Sequence, residues 1–116
     1  MNNKEAIKER YLQDDLPTRL GGLAANLSRI TSFSSQEAGR EAVVSLIDES
    51  RFFIEWTAAE AEIDTAVELV GLQIQLARWR QNWSHIWANT SKRNQVAEQS
   101  NNWSRRVLEL SGLLNR

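Results

Sequence analysis

Residues 63–87 read IDTAVELVGLQIQLARWRQNWSHIW, and their spacing decides the fold class. Leu69, Leu72, Leu76, Trp79, Trp83 and Ile86 recur every three or four positions, which places them on one face of an α-helix. Ile63, Val67, Val70, Ile74 and Ala77 form a second stripe beside the first. Two adjoining stripes make a wide apolar face, so this segment is expected to be the central helix of a bundle.

The chain on either side repeats the helical period. Towards the N-terminus, Phe52, Trp56, Ala59, Ile63, Ala66 and Val70 carry a heptad through residue 57, while Thr57 and Glu60 stand at capping-box spacing. One helix over 36–88 would be about 80 Å long at about 1.5 Å per residue, too long for this domain, so a bend near Thr57 is expected. Val43, Leu46, Ile47, Phe53 and Ile54 give the preceding helix its inner face, and Ser34 with Glu37 is expected to cap it. Leu16, Leu20, Leu23, Leu27 and Ile30 stripe an earlier helix that starts at Asp14-Asp15-Leu16-Pro17, where an acid can cap and proline is tolerated. Gly21-Gly22 lies inside that stripe without shifting its phase, which points to a neighbour passing close. A short amphipathic helix over 3–13 carries Ile7, Tyr11 and Leu12 on one side. Past Asn89-Thr90-Ser91 a last helix over about 92–114 turns Val96, Trp103, Val107, Leu110 and Leu114 inward, which sets Trp83 and Trp103 in contact across the hairpin.

Composition agrees. Five glycines and one proline in 116 residues leave too few turn formers for an all-β chain. Length and a 41% hydrophobic content fit one globular domain, 1–116. The expected fold is all-α: an up-and-down bundle of four main helices plus a short N-terminal helix. The N-terminus is charged, and no apolar run nears the roughly 20 residues of a membrane span, so a soluble, cytoplasmic protein without membrane partners is expected.

The net charge of −1 hides a division. Residues 34–69 hold nine acids and two bases, whereas 70–116 hold seven bases and two acids. Charge separated in this way can hold helices or subunits together, or steer a charged partner.

Chemistry is sparsely encoded. With no cysteine and one histidine, thiolate catalysis, disulfides and zinc–thiolate sites are excluded. A carboxylate-bridged metal centre needs Glu-x-x-His pairs, and no carboxylate lies within a turn of His85. Glu60, Asp64 and Glu68 line up at four-residue spacing, as solvated helix surfaces often do. No catalytic, metal or cofactor constellation emerges, and a non-enzymatic role is expected. Arg78, Trp79, Trp83, Trp87, Trp103 and Arg106 concentrate tryptophan and arginine, the residue types that most often anchor protein interfaces. They are the candidate interaction face, with a second copy of the chain or another protein as partner. Aromatics beside cations can also stack the bases of single-stranded nucleic acid, although helix-spaced tryptophans are usually core.

Arg80-Gln81-Asn82-Trp83-Ser84-His85 fits Arg-x4-His and resembles the signature of the HEPN superfamily of helical-bundle ribonucleases. The resemblance implies an arginine and a histidine from one helix meeting their dimer mates across a cleft, where RNA is cut without metal. It covers six residues and stands as the alternative to the interaction module. Over most of its length, in DLPTRLGGLAANLSRI, ESRFFIEWTA and WSRRVLELSGLL, the chain resembles a small helical family of cyanobacterial genomes. That likeness carries no activity and implies only a lineage-specific accessory role.

Overall fold

The first long helix begins where the sequence places it. Asp15 accepts from the Thr18 backbone N–H at 3.0 Å, and Pro17 occupies the first turn, where no internal donor is lost. The structure, a computed structural model, describes residues 3–115 and is all-α, with no strand among those residues. Six α-helices follow in order: α1 (Asn3–Gln13), α2 (Leu16–Ser34), α3 (Arg40–Thr57), α4 (Ile63–Gln81), α5 (Trp83–Trp87) and α6 (Thr90–Ser111). Short 3-10 turns at Glu37–Gly39, Ala58–Glu60 and Leu113–Asn115 join or end them.

Helix α2 is the hub, not α4. It packs on both α3 and α6, and Leu23, Leu27 and Ile30 are fully buried between them. Its contact with α6 is close because the facing side chains are small. Ser100 and Ser104 of α6 donate to the Leu27 and Ala24 carbonyls at 2.7 Å, and Thr31 donates back to the Ala97 carbonyl at 3.0 Å. These pairings run in opposite directions, so the two helices are antiparallel. Gly21 adds to the closeness: a Cβ there would stand 2.7 Å from Leu113 Cδ1. The neighbour expected at the glycine pair is therefore the C-terminal turn.

Helix α4 leans on α3. Its Gln73 amide donates to the Arg51 carbonyl at 3.1 Å, and Arg80 pairs with Asp48 at 3.0 Å. The first stripe, Leu69, Leu72, Leu76 and Trp79, is buried as expected and continues through Trp83 and Ile86 of α5. The second stripe is not. Ile63, Val67, Val70 and Ile74 are 81, 66, 52 and 49% exposed. At about 100° per residue the two stripes lie on opposite sides of α4 rather than side by side, and α3 and α6 cover only the first.

Three local expectations are corrected. Ser34 and Glu37 form no capping box: α2 runs through Ser34, and α3 begins after Gly39 with no side-chain cap. The 63–87 helix breaks at Asn82 (φ −104°, ψ 16°), whose side-chain amide donates to the Arg78 carbonyl at 2.9 Å. A side chain that bonds its own backbone offers the chain an exit from the helix. The ring beside Trp83 is Trp87, at 5.6 Å between centroids, rather than Trp103. The bend near Thr57 does occur, as α3 ends there and α4 restarts at Ile63.

Tyr11 and Arg19 fasten α1 to this frame. Tyr11 stacks on Phe53 at 4.0 Å, and its hydroxyl lies 3.1 Å from the Arg19 carbonyl and 3.0 Å from Thr57 Oγ1. A phenol has one proton and a carbonyl only accepts, so Tyr11 donates to Arg19 and Thr57 donates to Tyr11. The buried Arg19 guanidinium donates to the carbonyls of Leu12 and Asp14 and to Glu60.

Candidate functional site

The six residues of the tryptophan and arginine group do not form one surface. Trp79 and Trp83 are 5 and 4% exposed because they continue the buried stripe of α4 into α5. The Trp83 indole Nε1 is enclosed without a hydrogen-bond partner, so its packing is apolar. Trp87 is half-buried beside it, with the Arg93 guanidinium 4.9 Å above the ring. Trp103, on α6, is half-buried some distance away and lies along α4, its Cη2 near Gly71. Arg78 is exposed on α4.

Arg106 is engaged within the chain. Its Nε and Nη2 each lie 2.6 Å from a Glu68 oxygen, and Nη1 lies 3.2 Å from Glu109. The hydrogen bond from Arg106 holds the Glu68 carboxyl below its usual range, and the carboxylate in turn raises the guanidinium. Arg106–Glu68 and Arg80–Asp48 both join the basic C-terminal part to the acidic middle of the chain. Part of the charge division thus serves to register α4 against α3 and α6.

Arg80 and His85 fall on different helices, α4 and α5, because the chain turns between them at Asn82. Arg80 lines a depression of about 530 Å³ with Arg40, Glu41 and Ser84, and its guanidinium is turned to Asp48. His85 is exposed and does not line that depression. Glu60, Asp64 and Glu68 also separate, since Glu60 sits in the turn before α4 and pairs with Arg19 while Glu68 pairs with Arg106. Among the described residues, no group of three potential ligands is arranged to hold a metal ion.

The surface feature left is the outer face of α4. Ile63, Ala66, Val67 and Val70 line a shallow apolar depression of about 280 Å³. Next to it Trp103, Glu68, Gln75, Asn102 and Arg106 line another of about 390 Å³. Together they make an apolar strip with one aromatic edge and a polar rim, the anatomy of a protein interface. Sequence reasoning placed Ile63, Val67, Val70 and Ile74 in the core. The available signal was the angle between the two stripes: at about 100° per residue they fall on opposite sides of the helix, so neighbours packed on the first cannot also cover the second.

Among the described residues, no helix is long and apolar enough to cross a membrane. No protein-family model, curated protein or solved structure matches the chain.

Proposed function

We propose that this chain is a non-enzymatic protein-interaction module, and that it docks its partner on the outer face of α4. In this reading it is one domain, an up-and-down bundle of four main helices (α2, α3, α4 and α6) with the short α1 at its N-terminus. Four aliphatic side chains in a row, between 49 and 81% exposed, carry the proposal. Single exposed aliphatics are ordinary on protein surfaces, but a contiguous apolar strip with a polar rim marks a docking site. Arg78, Trp103 and Arg106 of the tryptophan and arginine group border this strip, whereas Trp79 and Trp83 support it from inside.

The test is recovery of tagged full-length chain from its source cells, with and without ribonuclease. Bound protein should survive the ribonuclease and be lost from a Val67→Glu/Ile74→Glu variant, while His85→Ala leaves it unchanged. Recovery of RNA, with bound protein released by ribonuclease and binding sensitive to His85→Ala, would overturn this reading in favour of an RNA-directed protein. Both variants alter exposed positions, so the helical circular dichroism should match wild type within error.

A further inference from the structure

The occupant of the α4 face can be named from the face itself. We infer that it is a second copy of this chain, with the two α4 helices packed antiparallel about a two-fold axis level with residues 71–72. This deepens the interaction-module reading and rests on it.

The first observation is the register. Ile63, Val67, Val70, Ile74 and Ala77 step by four, three, four and three, the alternation of a two-helix seam. Assigned as a heptad, Val67 and Ile74 occupy a positions, and Ile63, Val70 and Ala77 occupy d positions. The buried stripe lies on the opposite side of the same helix, so a mate on the seam meets neither α3 nor α6 head-on. An antiparallel register that sets Val70 of each copy against Ile74 of the other, and Val67 against Ala77, covers those four seam positions and leaves Ile63 at either end opposite Gln81.

The second is charge. The flanking e positions are Asp64, Gly71 and Arg78, two heptads from end to end and about 21 Å apart at about 1.5 Å per residue. Asp64 and Arg78 are both exposed, and neither has an ion-pair partner among the described residues. In the antiparallel register, the e positions of one helix face the e positions of its mate. Asp64 of each copy then meets Arg78 of the other, and the pair forms twice. A parallel arrangement brings no such opposites together, because e then faces g, and the g positions hold Ala66, Gln73 and Arg80.

The third is Gly71, midway between them. Glycine inside a helix lowers its stability, and nothing in the monomer requires one here. A Cβ at this position would meet only Trp103 Cη2, at an ordinary 3.9 Å. At a two-fold axis the position faces its own copy, where a missing side chain lets two backbones approach. Isologous contact of this kind is the commonest form of self-association.

Analytical ultracentrifugation of the pure full-length chain over a wide concentration range tests the proposal. Wild type should show a monomer–dimer equilibrium, and Val67→Glu/Ile74→Glu should be monomeric throughout. Asp64→Arg or Arg78→Asp alone should weaken the dimer roughly fivefold or more, since each removes two opposite-charge pairs. The double exchange Asp64→Arg/Arg78→Asp should restore it to within about twofold, because two-fold symmetry regenerates both pairs. A wild-type chain that stays monomeric throughout overturns the self-association, as does a dimer indifferent to the two glutamates. A double exchange without rescue overturns the antiparallel register. Failure here leaves the interaction-module reading intact if bound protein in the recovery experiment still depends on Val67 and Ile74, so the two can fail separately.

Discussion

Replacing Gly39 by alanine should cost about 3 kcal/mol and lower the melting temperature by roughly 12 °C, through overpacking alone. Gly39 is buried at the junction of the 37–39 turn and α3, with φ −85° and ψ −4°, a conformation open to any residue. Backbone strain is therefore not the reason for glycine. The reason is contact: a Cβ at residue 39 would run into the Phe33 carbonyl oxygen and stand 2.9 Å from its carbon. Both are main-chain atoms at the end of α2, so no rotamer change can make room. Either the α2–α3 connection shifts by an ångström or more, or α3 loses its seat on α2.

Gly21→Ala is the control that separates this mechanism from a general intolerance of added methyl groups. There the crowding atom, Leu113 Cδ1 at 2.7 Å, is the far end of a side chain in the C-terminal turn. It can swing aside, and alanine gains up to about 1 kcal/mol of helix propensity in the middle of α2. The two substitutions should thus differ by several degrees in a thermal melt, with Gly21→Ala within a few degrees of wild type. Equally small losses at both sites would show that the α2–α3 connection is pliant and the Phe33 contact unimportant, and equally large ones a general intolerance of added methyl groups.

This contrast also marks what could be read from the sequence. Gly21-Gly22 is conspicuous because it interrupts a stripe, and its close neighbour is present. Gly39 interrupts nothing, and its importance depends on where the end of α2 lies in space. The stripes of α2, α3 and the inner side of α4 were legible for the usual reason, that burial follows helical period. The outer stripe of α4 has the same period and the opposite fate, since Ile63 and Val67 differ from Leu69 and Leu72 only in which neighbours reach them. At the candidate site, Trp79 and Trp83 share the spacing of the buried stripe and are buried with it. Spacing turned Trp103 inward, yet it is only half-buried and lies near Gly71 of α4, a neighbour that no spacing within α6 could name. The Arg19 and Tyr11 fastening was unreadable for a similar reason, as each joins residues 41 to 46 positions apart.

That fastening yields the other large effect. Tyr11 is the only tyrosine, so a phenolate absorbance titration of the native chain reports on it alone. Burial pushes its hydroxyl up from 10.0 to about 12, because the ionised ring would lose water and gain only the Thr57 hydroxyl and the Arg19 charge. Ionisation would also take the proton that Tyr11 donates to the Arg19 carbonyl. Between pH 10 and 12 the folded chain therefore holds a proton that the unfolded chain has released. Stability is undiminished below pH 10 and should fall with rising pH across that window, by about 1.4 kcal/mol per unit and roughly 2.7 kcal/mol in all. Tyr11→Phe removes the titration and the hydroxyl together. At pH 7 it should cost about 1–2 kcal/mol, since the buried Thr57 hydroxyl and the Arg19 carbonyl each lose a partner. The lysines and arginines titrate in both proteins and cancel in the comparison. Denaturant melts of the pair should hence converge as pH rises, cross near pH 11, and leave the phenylalanine variant the more stable at about pH 12. A constant gap between them at every pH would mean that Tyr11 ionises as freely in the folded chain as in the unfolded one, and that α1 is not held at this point.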